Sequence, residues 1–213
     1  MALILFIDTS FQHTHVFIAS EHELKFEMIN KQPNEQALTL NTMIEACLKE
    51  ALFSLKDIQA IAVNGGPGSY TGLRVGLGVA KGICFSLDIP LLLFNKLNIL
   101  SLNYDSLFLI LKARKGEGFA HIKKEGTVIL EPVHIFYEDF DWHKFNDIPM
   151  LTDDESLLTQ FLEAKVLESH ILNAKSWDQL AQQRFDLQQF DDIAYSNPYY
   201  LKSAFTTTPK NKI

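Results

Sequence analysis

Apolar residues at the start of the chain fall into three consecutive stretches separated by polar breaks. Residues 3–8 form a continuous apolar run that ends in an acid, and the runs HTHVFIAS and ELKFEMINK follow it with rough alternation. A continuous apolar run predicts a buried strand, and alternation predicts a half-buried one. We therefore predict three strands connected as a meander.

A helical period begins near residue 36, where apolar residues recur every three or four positions. The residues with this spacing are Leu40, Met43, Ile44, Cys47 and Ala51, and they predict a helix over residues 36–54. A second stripe of Leu38, Leu48, Leu52 and Leu55 makes this helix apolar on more than one side. A short apolar strand over 58–64, a glycine-rich loop, a second helix over 71–87 and a further strand over 89–95 follow. The predicted order of elements is β-β-β-α-β-α-β.

This order predicts an α/β fold in which helices pack on a mixed sheet. A dinucleotide-binding fold would alternate strand and helix from the start, whereas three strands come first here. The order is that of the ribonuclease-H-like core found in actin-like (ASKHA) proteins. Beyond residue 100 the pattern weakens to strands joined by glycine turns and then to partly helical segments. We predict a first lobe over residues 1–100 and a smaller, degenerate second lobe over 101–213, with a tail that can pack back on the first.

Charge and cysteine content narrow the classes of partner. The 213 residues carry a formal net charge of −7 and contain no dense Lys/Arg run, so we expect no direct grip on nucleic acid. The two cysteines form no CxxC pair, which favours a reducing, cytoplasmic setting. The apolar N-terminal run is too short to span a membrane and has no basic flank, so no membrane partner is expected.

The stretch NGGPGSYTGLR, residues 64–74, holds four of the ten glycines directly between a strand and a helix. A Walker-A loop is excluded because no Gly-Lys-Ser/Thr occurs. The spacing of the glycines also differs from the dinucleotide-binding fingerprint and from the Gly-x-Ser-x-Gly nucleophile elbow. Three familiar chemistries are therefore absent from this loop.

Three interpretations of the loop remain open. It can be a tight turn capped by Ser69 or Thr71, an anion site at a helix N-terminus, or part of a surface for another protein. Asp8, which follows the first strand, can stabilise a turn or face a phosphate. The candidate anion-binding residues are Asp8, Gly66, Gly68, Ser69, Tyr70, Thr71, Gly72 and Arg74.

The helix behind the loop contains further glycines, each of which costs about 0.8–1 kcal/mol in a helix interior relative to alanine. Val75, Gly78, Val79 and Gly82 fall on one stripe. A separate stripe of Leu73, Leu77, Ala80 and Cys84 can pack on the sheet of this chain. A second face with small residues lets another backbone approach closely, and we predict that it meets another helix.

The run GPGSYTGLRVGLGVAKG closely resembles the signature GPGSFTGLRxGxxxAKG of the bacterial TsaB (YeaZ) family. Weaker matches are LFIDTS, ALTLNTMI, ARKGEGFA and PYYLK, while residues 125–190 match poorly. Where the family pattern has a His at the start of the first helix, this chain has NEQALTL. Lys112, Lys202 and Tyr70 stand where the family has Asp, Arg and Phe.

The resemblance implies a two-lobed actin-like fold and a non-catalytic scaffold. In that family the first lobe pairs with the catalytic subunit TsaD, which modifies adenosine 37 of tRNA with threonylcarbamoyl, and a TsaE ATPase joins the complex. It implies that this chain has no cofactor of its own, that ATP and metal belong to partner subunits, and that tRNA is contacted only through the complex. Homodimerisation through the same face is a further expectation. The implied interface residues are Leu38, Glu45, Leu48 and Leu52 on the first helix, with Val75, Gly78, Val79 and Gly82 on the second.

The residues give little support to a catalytic function. The seven histidines form neither HxxxH nor HExxH, so a metal site of the TsaD or zinc-peptidase type is not predicted. His13 and His15 are expected on one exposed face of the second strand. All ten glycines lie between Gly65 and Gly126, which disfavours a nucleotide clamp built by both lobes. The alternative to a scaffold is an active actin-like ATPase or phosphotransferase; a peptidase is the weaker alternative.

Overall fold

The computed structural model describes residues 1–202, and residues 203–213, the end of the predicted second lobe, lie outside the described part. Its elements form two five-stranded sheets. The first sheet has the order β3-β2-β1-β4-β5. Its strands are β1 (Ile4–Asp8), β2 (Thr14–Ser20), β3 (Glu23–Asn30), β4 (Ala60–Asn64) and β5 (Leu91–Phe94).

The first three strands are antiparallel, and β4 and β5 run parallel to β1. The connecting helices are α1 (Gln36–Glu50), α2 (Tyr70–Leu87) and α3 (Lys96–Leu100). The predicted order β-β-β-α-β-α-β is therefore confirmed. The carboxyl ends of β1, β4 and β5 lie at one edge of the sheet, where the glycine loop begins.

Helix α1 ends at Glu50, four residues before the predicted end at 54. Leu52 adopts a left-handed backbone with φ 61°, and the amide of Phe53 donates a 2.9 Å hydrogen bond to the carbonyl of Leu48. A left-handed residue just past the last turn is the usual way in which a helix ends. The pattern alone gave no stop signal because that position is most often glycine, not leucine.

Both faces of the first sheet are covered. Helices α1 and α2 bury one face with side chains that include Leu40, Ile44, Leu77 and Cys84. The other face carries stacked Phe6 and Phe17, on which Trp177 of α5 (Ala174–Asp186) packs edge-on. Strands that are buried on both faces have continuous apolar sequences, which explains the apolar run over residues 3–8.

The second sheet has the order β10-β9-β6-β7-β8 and, like the first, contains five strands. Two of its strands are very short, and the only helix inserted between them, α4 (Glu155–Gln160), has six residues. Its strands are β6 (Leu107–Arg114), β7 (Glu117–Lys124), β8 (Thr127–Phe136), β9 (Met150–Thr152) and β10 (Lys165–Val166).

The chain returns to the first sheet after β10. Besides α5, the tail makes backbone contacts there, because the amide of Tyr199 donates to the carbonyl of Gly65 at 2.8 Å. The Tyr199 hydroxyl also donates to the carbonyl of Leu93 at 3.2 Å. The boundary predicted at residue 100 stays a prediction, and residues 172–201 make many of their contacts with the first lobe. No helix within residues 1–202 is both long and apolar enough to cross a membrane.

Candidate partner-binding surface and interlobe cleft

The glycine loop packs against the turn that connects β1 to β2. A Cβ added at Gly68 would overlap the carbonyl oxygen of Ser10, and one at Gly72 would overlap that of Thr9. One at Gly76, a turn further along α2, would overlap the Thr9 hydroxyl. Glycine is needed at Gly68 and Gly72 because two backbone segments touch, and at Gly76 because the Thr9 side chain fills the space.

The amides of the loop mostly donate to acceptors of this chain. Those of Gly66 and Ser69 bond the Asn64 side chain at 3.0 Å and the Ser10 carbonyl at 2.6 Å. Ser69 caps α2 by accepting from Gly72 N at 3.3 Å, which confirms the cap expected there. Anion binding by Gly66, Gly68, Ser69 and Gly72 stays a prediction, although these hydrogen bonds leave fewer free donors for it.

Asp8 is completely buried at the end of β1. Its Oδ1 accepts from the amide and hydroxyl of Ser10, at 2.9 and 2.6 Å, and from Nδ2 of Asn64 at 2.9 Å. Its Oδ2 accepts from Nζ of Lys96 at 2.9 Å. Burial alone would raise the pKa of this carboxyl, but Lys96, helped by His13 and Ser10, lowers it well below its ordinary value. Asp8 therefore stabilises the turn, as one interpretation expected, and is also half of a buried ion pair.

Lys96 was not singled out from the sequence. It is the first residue of α3, which Asn95 caps by accepting from Leu97 N at 2.9 Å. The backbone amide of Lys96 donates to the Gly66 carbonyl at 2.7 Å, so the glycine loop also fixes its position. Its fully buried ammonium lies 4.6 Å from the ring centre of Phe11. A lysine directly after an apolar strand was the one available signal.

His13 and His15 are not exposed, contrary to the expectation. His15 is buried because β2 is an inner strand of the sheet, and His13 is buried in the turn directly before that strand. Nε2 of His15 lies 2.8 Å from Oε1 of Glu27, and Nε2 of His13 lies 3.6 Å from Oδ2 of Asp8. Burial lowers the pKa of His15 even though Asp8 and Glu27 raise it.

Arg74 joins the start of α2 to the C-terminal tail. Its guanidinium lies 4.0 Å from the centre of the Tyr70 ring, and its Nε donates to the Tyr200 hydroxyl at 3.0 Å. This contact stabilises the start of α2, and anion binding by Arg74 stays a prediction. Tyr70, Thr71 and Arg74 are all exposed, and Tyr70 lines a cleft.

The cleft has a volume of about 610 Å³ and lies between the glycine loop, the end of β6 and the tail. Three cationic residues line it: Lys112, Arg114 and Lys202. Lys112 Nζ lies 3.2 Å from Oδ1 of Asp154, and Lys202 pairs with Glu117, which also accepts from His134 at 2.9 Å. The motifs ARKGEGFA and PYYLK meet through the Lys202–Glu117 pair.

The α1–α2 surface, defined here by Leu38, Leu52, Gly78, Gly82 and Phe85, is open. A Cβ added at Gly78 or Gly82 would meet no atom of residues 1–202 within 4 Å. Leu38 is 79% exposed and Leu52 is 91% exposed. Large apolar side chains beside an open glycine stripe are characteristic of interaction surfaces.

Of the other four predicted interface residues, three lie at this surface or its edge and one is buried. Glu45 is exposed between Leu38 and Leu52, and Val75 and Val79 are half-buried at the edge of the surface. Leu48 was wrongly assigned, because it is only 7% exposed and packs in the core under α1. Its position four residues after Ile44 puts it on the inward stripe.

Two aromatic residues that the sequence reasoning missed border this surface. Phe85, in the last turn of α2, is 82% exposed, as is Tyr195 in the returning tail. Lys81 fixes the tail beside α2, because its Nζ donates to the carbonyls of Ala194 and Ser196 at 3.2 and 2.6 Å. The helical spacing of Phe85 could have been noticed, whereas the approach of Tyr195 depends on a long-range contact.

The two sheets, the helices on both faces of the first and the cleft beside the glycine loop define a two-lobed α/β protein of the actin-like class. The solved structure described as "Crystal structure of an uncharacterized protein with similarity to peptidase YEAZ from Pseudomonas aeruginosa" has the same fold, with a TM-score of 0.79. The match covers 95% of this chain and 100% of that chain at 21% identity.

Sequence comparison gives the family. A family model described as "TsaD: tRNA N6-adenosine threonylcarbamoyltransferase" matches residues 34–132. The tRNA threonylcarbamoyladenosine biosynthesis protein TsaB of Bacillus subtilis (strain 168) is 30% identical over 171 residues, which cover 75% of each chain. The TsaB of Buchnera aphidicola subsp. Schizaphis graminum is 32% identical over 99 residues, 46% of this chain and 47% of that protein. The chain belongs to the TsaB family.

Proposed function

We propose that this chain is a non-catalytic subunit in the biosynthesis of threonylcarbamoyladenosine in tRNA, and that it binds a TsaD-type catalytic subunit through the α1–α2 surface. The observation that carries the proposal is the open glycine stripe of Gly78 and Gly82 beside Leu38, Leu52 and Phe85, in a chain of the TsaB family. The names of the relatives support the pathway, and the surface supports the scaffold role.

Packing among residues 1–202 does not require glycine at Gly78 or Gly82. Gly68 and Gly72 are needed because the Thr9–Ser10 backbone touches them, and Gly76 because it meets the Thr9 side chain, but Gly78 and Gly82 meet no atom of residues 1–202. Each exposed helix-interior glycine costs about 0.8–1 kcal/mol relative to alanine. A helix of another chain can approach such a stripe closely, which recovers that cost through packing.

The scaffold role also agrees with the state of the cleft. Asp8, whose position suits a catalytic or metal-binding acid, is already bonded to Lys96, Ser10 and Asn64. Several loop amides that could hold a phosphate donate within the chain. We place ATP and metal in the partner subunits, with a TsaE-type ATPase joining the complex and tRNA reached only through it.

The test is co-expression of this chain with the TsaD and TsaE homologues of its own organism. Gly78→Leu and Gly82→Leu should each weaken co-purification with TsaD at least ~10-fold, because about 1.4 kcal/mol of lost contact suffices. Gly78→Ala is the matched control, since one methyl group intrudes much less. Modified adenosine in tRNA should fall with the leucine variants and persist with the alanine variant.

Two outcomes would contradict the proposal. Unaltered association of both leucine variants with TsaD would show that the α1–α2 surface is not the interface. Mg²⁺-dependent ATP turnover by the isolated chain would instead favour the ATPase alternative. Size-exclusion chromatography of the chain alone measures whether a second copy occupies the same surface, and the leucine variants should abolish such a dimer as well.

A further inference from the structure

The carboxylate of Asp8 is surrounded by hydrogen-bond donors. Oδ1 accepts from Ser10 N, Ser10 Oγ and Asn64 Nδ2, and Oδ2 accepts from Lys96 Nζ. Lys96 Nζ also donates to Ser10 Oγ at 3.0 Å. The amide oxygen of Asn64 is turned away, because it accepts from Gly66 N at 3.0 Å.

This arrangement does not fit the magnesium nucleotide that the actin-like class implies for such a cleft. Mg²⁺ and Mn²⁺ are held by oxygen ligands that offer lone pairs. Here both oxygens of Asp8 are bonded, Asn64 presents N–H groups, and a positive ammonium lies 2.9 Å from Oδ2. Within residues 1–202 no group of three His, Cys, Asp or Glu side chains could hold a metal.

We propose that the Lys96 ammonium is the resident cation of this site and stands where a divalent metal would have to bind Asp8. The ion pair connects the carboxyl end of β1 to the start of α3 through two completely buried side chains. The backbone of Lys96 is bonded to the glycine loop at Gly66. The chain thus keeps the turn, the loop and α3 together without metal.

Removal of Lys96 should have two measurable effects. Asp8 would be left buried without its counter-ion, which is among the most destabilising changes to a buried pair. Lys96→Ala should therefore lower the Tm by on the order of 10 °C. The freed Oδ2, with His13 Nε2 3.6 Å away, should then accept a divalent cation.

The experiment measures the Tm of the full chain with EDTA or with MnCl₂. We expect the wild type to be insensitive to Mn²⁺ and Lys96→Ala to be stabilised by it. A site filled at about 100 times its Kd raises the Tm by roughly 5–10 °C. Asp8→Asn/Lys96→Ala should lose the Mn²⁺ response. Lys112→Met is the matched control, because the Lys112 side chain is half exposed and buried Asp154 keeps its hydrogen bonds from Tyr137 and Ser156.

Asp8→Asn/Lys96→Met removes both charges at similar volume, and should recover most of the Tm lost by Lys96→Ala. If Lys96→Ala does not fold in EDTA, this double variant still tests the proposal. Mn²⁺ stabilisation of the wild type that Asp8→Asn abolishes would overturn the proposal. So would the absence of any Mn²⁺ response in Lys96→Ala. Neither result would bear on the α1–α2 surface, which is tested by association with TsaD.

Discussion

Glycines of one helix serve two different purposes at the residue scale. Gly72 and Gly76 face inward, where the Thr9–Ser10 turn leaves no room for a side chain, while Gly78 and Gly82 face outward into open space. Both sets read alike in the sequence, as small residues at helical spacing. The two sets differ in their neighbours: an inward glycine contacts other parts of this chain, whereas an outward glycine is accessible to a partner.

Alanine substitution should therefore have opposite effects at the two kinds of position. Gly72→Ala should destabilise the chain by about 1–3 kcal/mol, because the methyl group meets a backbone carbonyl that cannot move easily. Gly78→Ala should stabilise it by about 0.5–1 kcal/mol, because the helix loses a flexible residue and nothing is crowded. Urea denaturation of the two variants measures both values. Equal effects would mean that the inward packing is not as close as described.

His121 should make the stability depend on pH. It is buried, and one ring nitrogen, Nδ1, lies 2.9 Å from the Leu130 carbonyl. Burial lowers the pKa of His121, although the Leu130 carbonyl and Glu131 raise it. The unfolded chain therefore binds the proton first as the pH falls below about 6.5, and stability falls with it.

His121→Asn should reduce this loss of stability on going from about pH 7.5 to about pH 5.5, and the difference between the two urea midpoints is the measurement. His15, whose pKa burial also lowers, should keep part of the pH dependence in the variant. An unchanged difference would show that His121 does not contribute.

At the scale of elements, the residue that ends α1 is unfavourable in two respects, its backbone conformation and the exposure of its apolar side chain. Leu52 is left-handed at φ 61° and almost fully exposed. An L-residue in that conformation costs on the order of 1 kcal/mol, which glycine would avoid. A side chain kept at such a position is understandable if it contacts a partner, as the proposed α1–α2 surface requires.

Leu52→Gly should therefore stabilise the isolated chain by about 1 kcal/mol and weaken its association with TsaD. Leu52→Ala is the matched control, because it removes the side chain but keeps the unfavourable φ. It should leave stability nearly unchanged and weaken association to a similar extent. Thermal unfolding and a pull-down titration separate the two effects, and full association of both variants would exclude Leu52 from the interface.

The elements that could be predicted from the sequence depend on local pattern. The order of the first lobe follows from alternation and helical spacing, and Gly78 and Gly82 follow from the same count. The burial of Lys96 could not be predicted, because a lysine normally indicates surface and its burial requires Asp8 from a distant strand. Leu48 was misassigned because two apolar stripes on one helix do not reveal which faces the sheet. Trp177 was missed because its partners, Phe6 and Phe17, are far away in sequence.

At the scale of the whole molecule, the first sheet is completed by the end of the chain. Trp177 packs on Phe6 and Phe17 with ring centroids at 5.2 and 5.6 Å, and Gln182 bonds both the amide and the carbonyl of Ala2 at 2.8 and 2.7 Å. Without α5, one apolar face of the sheet would be open to water. We therefore expect the first lobe to fold together with residues 172–201, although the second sheet lies between them in sequence.

A fragment of residues 1–100 should consequently fail to fold alone, because it exposes Phe6 and Phe17, and large open apolar faces lead to aggregation. We expect it to bind a hydrophobic dye and to lack cooperative unfolding. Addition of a peptide of residues 168–202 should restore a cooperative transition. The same peptide with Trp177→Ala should not, since loss of a buried tryptophan costs about 3–5 kcal/mol. Cooperative unfolding of the fragment without the peptide would show that the lobe folds on its own and that α5 packs on it without being required.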